Sequence, residues 1–175
     1  MYLVQKALDF GAKKHDGQTR KFSGLPYIIH PVTVMYLITK FKGQSKNLEV
    51  LQCAAILHDV LEDTVCTYIE LEREFGPFIA SIVMELTSDK EEIERIGKND
   101  YLKSKMIKMS NYALILKLID RLANITDKPK LSYLEDTEEL IKHLIDNREL
   151  SDRQFLICQE ILSVCEKELF THNKG

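Results

Sequence analysis

Leu51-Gln52-Cys53-Ala54-Ala55-Ile56-Leu57-His58-Asp59-Val60-Leu61-Glu62-Asp63-Thr64 is the stretch whose reading decides the fold. Apolar residues recur through it at helical spacing, and the pattern predicts a strongly apolar helix over 48–62. Its last turns carry four ionisable groups, His58, Asp59, Glu62 and Asp63. On a helix the adjacent side chains of His58 and Asp59 project about 100° apart, so both reach one point beside the helix surface. Glu62 lies one turn beyond His58, and Asp63 one turn beyond Asp59. A helix C-terminus carries partial negative charge, so three carboxylates placed there call for a cation.

Outward from this stretch the same periodicity recurs almost everywhere. Helices are expected over 3–14, from near Pro31 to about Lys42, over 99–108, over Tyr112 to Ile125, over 131–146 and over 152–170. Thr67 is placed to cap a short helix that ends near Phe75-Gly76, and Pro77 to start another that runs to about Leu86. Ser110 and Ser151 stand where helix caps belong. Residues 15–28 read as a polar loop with Gly17, Gly24 and Pro26, and 87–98 as loop and helix entry. With only 7 Gly and 4 Pro, the chain lacks the turns of a β-rich fold. The expectation is an all-α bundle of about eight or nine helices, with strand content near zero.

The sequence of 175 residues favours one domain spanning 1–175. A hydrophobic share of 45% against 29% charged excludes a wholly disordered chain. No apolar run approaches the roughly 18 residues of a membrane helix, and the start has no signal-peptide layout. The net charge of −3 makes nucleic acid a poor partner. None of the cysteines (Cys53, Cys66, Cys158, Cys165) forms a C-x-x-C pair, so a zinc-thiolate site has no support and a reducing cytoplasm is expected. Cys53 reads as a small core residue.

Two further segments bear ligand-type side chains. Tyr27-Ile28-Ile29-His30-Pro31 stands at a helix entry, and Lys117-Leu118-Ile119-Asp120-Arg121-Leu122-Ala123-Asn124 lies within a helix. Alone, His30 reads as a satisfied core histidine and Asp120 as a partner of Arg121. Two imidazoles and two carboxylates without a thiolate suit Mn²⁺, Fe²⁺ or Zn²⁺. Such an ion polarises phosphorus and activates water. Residues 11–22 carry a local charge of +3, which suits a polyphosphate as well as a solvated loop. Asn124 follows Asp120 by one turn, where it either touches a ligand of the ion or caps the helix. His15, Asp16, His143 and His172 read as surface residues.

The series His30, His58-Asp59, Asp120 resembles the HD phosphohydrolase superfamily. The flanking words are more specific. Gly17-Gln18-Thr19-Arg20-Lys21, Pro26-Tyr27-Ile28-Ile29-His30-Pro31, the word from Ala54 to Thr64 and the word from Lys117 to Asn124 resemble the hydrolase domain of RelA/SpoT proteins. The chain is also about the size of the stand-alone small alarmone hydrolases. The resemblance covers 1–127, and 128–175 match only as closing helices. It implies a single HD-type domain that uses Mn²⁺ and a metal-activated water to remove the 3′-pyrophosphate of guanosine tetra- or pentaphosphate. It implies His30, His58, Asp59 and Asp120 as metal ligands, and Glu62 and Asp63 as catalytic groups. Arg20 and Lys21 are then expected near the substrate phosphates and Asn124 near the nucleoside.

Three points depart from the family pattern or stay open. Ala123 stands where many relatives carry a larger histidine or tyrosine, which suggests a wider nucleoside pocket. Ile125-Thr126-Asp127 replaces an arginine-bearing continuation. The core words leave adenosine alarmones and the 2′-phosphate of NADPH open as substrates. A non-catalytic alarmone-binding module is the competing class. A monomer is expected.

Overall fold

Ten helices make up the described chain, and α3 and α8 are the two around which the others gather. The computed structural model describes residues 2–21 and 23–172, the side chain of His172 excepted. The ends of the expected 1–175 span, and the expectation for His172, therefore lie outside the described residues. The only β-type pairing among them is an isolated antiparallel bridge, Thr19 with Pro26. The chain divides after Ser88 into two compact units.

The first unit holds α1 (Leu3–Lys14), α2 (Ile29–Lys42), α3 (Leu48–Leu57), α4 (Val60–Asp63) and α5 (Tyr68–Leu86). Helix α3 buries Leu51, Cys53, Ala54, Ala55, Ile56 and Leu57, so its C-terminal part is apolar on all sides and needs cover on all sides. It receives that cover from α1, α2 and α5. The approach of α1 is close because Gly11 has no side chain. A Cβ there would lie 3.3 Å from Ile56 Cγ2 and 3.4 Å from Ile28 Cδ1.

The expected helix over 48–62 is broken. Helix α3 ends at Leu57, His58 and Asp59 form a turn, and α4 is a single turn that follows. The three carboxylates are thereby divided: Asp59 stands in the turn after α3, and Glu62 and Asp63 close the single turn of α4. Helix α5 contains the expected break, a kink at Gly76 with φ +81° ahead of Pro77. Thr67 caps it, accepting from Glu70 N–H.

The second unit holds α6 (Lys90–Ile96), α7 (Lys98–Lys108), α8 (Asn111–Ile125), α9 (Leu131–Asn147) and α10 (Asp152–His172). Residues 87–98, expected as loop and helix entry, hold the complete helix α6. Asp89 caps it, accepting from Glu92 N–H, and this anchors a helix with no buried residue of its own. Helix α8, capped by Ser110, packs on α9 and α10, and ten of its fifteen residues are buried. Its polar residues Lys117, Asp120 and Asn124 recur at i, i+3 and i+7 and form one narrow stripe.

Arg148 joins α7 to α8. Its Nη1 donates to the carbonyls of Met106 (2.9 Å), Ile107 (3.0 Å) and Met109 (2.7 Å), and Nη2 donates to Asn111 Oδ1 at 3.2 Å. The carbonyls at the end of α7 have no intrahelical partners, so a cation satisfies them and their partial charge together. His143 is half-buried on α9 beside Asn147, not exposed as expected. All the cysteines are buried, as read for Cys53. No described helix is long and apolar enough to cross a membrane.

Candidate metal centre

In the first unit the ligand-type residues meet where α2 begins and α3 ends. The backbone N–H of His30 donates to Tyr27 O at 2.9 Å as the chain turns into α2. His30 and His58 are only 4% and 3% exposed. Their rings pack edge to face with centroids 5.2 Å apart, and each presents a nitrogen within 4.8 Å of the other's.

His58 fixes its own tautomer. Its Nδ1 lies 2.7 Å from the carbonyl of Ala55, one turn back along α3. A carbonyl only accepts, so Nδ1 carries the hydrogen, and in the neutral ring Nε2 presents a lone pair. That Nε2 lies 2.8 Å from Asp59 Oδ2. Two acceptors face each other at this distance only with a cation between them, either a proton or a metal ion. The donor set of two imidazoles and a carboxylate suits a divalent first-row metal. Tyr27 supports the pair from the other side, its hydroxyl donating to Asp59 Oδ2. A possible His/Asp metal site thus stands within the first unit.

The carboxylates of α4 are also tethered. Glu62 Oε2 accepts from Ser88 N–H at 2.9 Å. Asp63 is exposed, and its carbonyl accepts from Gln18 Nε2 at 2.8 Å. Thr64 closes the turn, donating to Val60 O at 2.6 Å and accepting from Cys66 N–H at 3.0 Å.

Arg20 and Lys21 stand on a tight loop. Arg20 N–H donates to Leu25 O at 2.8 Å, Gly24 N–H to Arg20 O at 2.9 Å, and Tyr27 N–H to Gln18 O at 2.9 Å. Gly17 and Gly24 adopt φ of +76° and +69°, a region that side chains disfavour. Arg20 is half-buried and Lys21 exposed. His15 is the residue that the sequence reading missed. Expected at the surface, it is 3% exposed and packs its ring on Tyr27 at 4.7 Å, whereas Asp16 is exposed as expected.

In the second unit, Asp120 stands on the polar stripe of α8. Its Oδ1 accepts from Asn124 Nδ2 at 2.8 Å, and its Oδ2 lies 3.4 Å from Lys117 Nζ. Arg121 is not its partner: that guanidinium donates to Thr137 Oγ1 at 2.8 Å and stacks over Tyr133, 5.0 Å from the ring centroid. Burial pushes the Tyr133 hydroxyl above the usual tyrosine range, with the Arg121 charge opposing. The Asn124 side chain serves Asp120, while Thr126 occupies the helix C-cap. Ala123 is buried.

An all-α fold with a His/His/Asp cluster at helix ends defines a class of metal-binding hydrolase-type domains. The chain belongs to the HD domain family, whose model matches residues 7–141. It is 37% identical over 126 residues to the guanosine-3′,5′-bis(diphosphate) 3′-pyrophosphohydrolase MESH1 of Danio rerio, covering 71% of this chain and 68% of that one. It is 38% identical to the Homo sapiens MESH1 protein over 123 residues, covering 70% and 67%. The enzyme of the same activity name from Spiroplasma citri is 38% identical over 144 residues, but this chain spans only 18% of its length. A solved structure of a metazoan ortholog of SpoT, described as hydrolysing ppGpp and playing a role in starvation responses, superposes with a TM-score of 0.77 at 26% identity. It covers 97% of both chains.

Proposed function

We propose that this chain is a Mn²⁺-dependent phosphohydrolase that removes pyrophosphate from the 3′ position of guanosine tetra- and pentaphosphate. It acts as one domain over 1–175, as a cytoplasmic monomer, on a phosphorylated nucleotide, with neither nucleic acid nor membrane as partner. His30, His58, Asp59 and Asp120 hold the ion. When bound, the ion supplies Lewis acidity toward the scissile phosphate and lowers the pKa of water.

The chain's own groups do the rest. Ser88 N–H holds Glu62 by Oε2, which orients Oε1 to take the proton of the attacking water, and Asp63 positions that water. Water adds to the phosphorus next to the ribose, the bond from phosphorus to the 3′ oxygen breaks, and that oxygen takes up a proton. Arg20 and Lys21 neutralise the departing pyrophosphate. Asn124 orients Asp120 through its amide and meets the nucleoside.

The observation that carries the reading is the 2.8 Å approach of His58 Nε2 to Asp59 Oδ2, which requires a proton or a metal ion between them. The relatives' named activity supports the substrate. The test is pyrophosphate release by the purified chain with Mn²⁺ from guanosine tetraphosphate, its adenosine counterpart and NADPH, with chelator controls. Pyrophosphate from the guanosine compound, abolished by chelation, is the expected result. No release from any of the three with Mn²⁺ bound would overturn the proposal.

A further inference from the structure

We infer that His15 is a positioning residue that ties the basic loop to both halves of the α2–α4 site; only the turnover part of this inference rests on the hydrolase reading. His15 neither reaches a proposed ligand directly nor lies on the surface. It is 3% exposed in a stretch that is otherwise strongly polar, Lys13-Lys14-His15-Asp16.

Its hydrogen bonding is determined by its neighbours. Gln18 Nε2 donates to the carbonyl of Asp63 at 2.8 Å, so the Gln18 amide is oriented with Oε1 toward His15. That Oε1 lies 2.8 Å from His15 Nδ1, so Nδ1 carries the hydrogen and donates it. His15 Nε2 is buried and has no hydrogen-bond partner among the described residues. A hydrogen there would be a buried donor without an acceptor, so the geometry selects the Nδ1–H tautomer. One connection thus runs from His15 through Gln18 to the backbone of Asp63.

The second connection runs through the ring face. The His15 and Tyr27 rings lie 4.7 Å apart at a tilt of 40°. Tyr27 donates its hydroxyl to Asp59 and lies 5.9 Å from the His30 ring. Packing on His15 fixes the rotamer from which Tyr27 reaches Asp59. The two connections leave His15 from different parts of the same ring. The Nδ1–H serves, through Gln18, the backbone of Asp63 on α4, and the ring face serves, through Tyr27, the proposed ligand Asp59. Between Gln18 and Tyr27 the chain carries Arg20 and Lys21, so the loop meant for phosphates is held at the same anchor.

Two substitutions separate the connections. His15→Phe keeps a flat ring against Tyr27 but has no donor. His15→Asn keeps an amide N–H near the position of Nδ1 but has no ring. The measurements are Mn²⁺ affinity by titration calorimetry of the full chain, and kcat and KM for guanosine tetraphosphate at saturating Mn²⁺. His15→Phe is expected to lower kcat about tenfold with Mn²⁺ affinity unchanged, and His15→Asn to weaken Mn²⁺ about tenfold while recovering the turnover lost in His15→Phe. Gln18→Leu cuts the same donor path from outside the buried position and must reproduce the kcat loss of His15→Phe if that variant does not fold. A structural role alone lowers folded yield in both variants and leaves kcat and Mn²⁺ affinity per folded molecule unchanged. That outcome, or equal losses of both quantities in both variants, overturns the inference. Absence of turnover in the unsubstituted chain refutes the hydrolase reading alone, and the Mn²⁺ titration then decides the role of His15.

Discussion

Asp59→Asn changes one atom type in the His58–Asp59 pair and reverses its preference for a cation. In the unsubstituted chain Oδ2 faces His58 Nε2 at 2.8 Å and also accepts from the Tyr27 hydroxyl. An amide nitrogen at the Oδ2 position carries two hydrogens. One suits the His58 lone pair, and the other suits the Tyr27 oxygen, which turns from donor to acceptor. The pair then satisfies itself with no ion. A hydrogen bond of this kind contributes about 1 kcal/mol net, so at a pH where no proton bridges the parent's pair the metal-free variant is expected to melt about 2–4 °C above the metal-free parent. The same change removes a charged ligand. At Mn²⁺ about 100-fold above its Kd, the parent gains about 2.7 kcal/mol, or about 5–11 °C in Tm. The variant is expected to lose this shift. The assay is thermal melting of both proteins with chelator and with Mn²⁺. A metal-free variant that melts below the parent, or one that keeps half of the Mn²⁺ shift, would refute the account of the pair.

The double substitution Glu62→Gln with Asp63→Asn should reduce pyrophosphate release by about 10²–10⁴-fold while calorimetry still detects Mn²⁺ binding, since neither residue is a proposed ligand. Arg148→Ala should cost about 2–3 kcal/mol in denaturant unfolding, because Met106, Ile107 and Met109 lose their shared donor. Arg148→Lys should recover less than half of that, as an ammonium lacks the fork that spans the carbonyls and Asn111. Burial pushes the thiols of Cys53 and Cys158 up to about 12, and those of Cys66 and Cys165 up to about 11. A raised thiol pKa means little thiolate at pH 8, so a disulfide reagent should label none of the four native cysteines and all of them after denaturation.

Helix existence was legible because apolar spacing carries it, and α1 and α8 lie where that spacing put them. Breaks without glycine or proline were not. Leu57, Val60 and Leu61 continue the apolar pattern across the turn at His58-Asp59, so nothing in the periodicity marks where α3 stops. Helix α6 did carry a signal: Asp89 followed three residues later by Glu92 has the spacing of an N-terminal cap. Its lack of a buried face concealed it. The metal-type residues stood out because His30, His58 and Asp120 interrupt apolar words. His15 stood among charged residues, and its burial arises from tertiary packing that includes Tyr27 against its ring. Residue type could not disclose that. Nor could it show Arg121 turned to Thr137 and Tyr133 and away from Asp120.

The bare backbone at Gly11 makes the α1–α3 contact a gauge for the metal centre. The atoms that a side chain at position 11 would displace belong to Ile56 and Ile28, each two residues before a proposed ligand, His58 and His30. Added bulk on α1 would therefore push on both imidazoles at once, through the chain segments that carry them. A series of ever larger residues at position 11 would detune the centre by steps without altering a single donor atom. Mn²⁺ titration of such a series would read the effect as weakened affinity of the proposed centre.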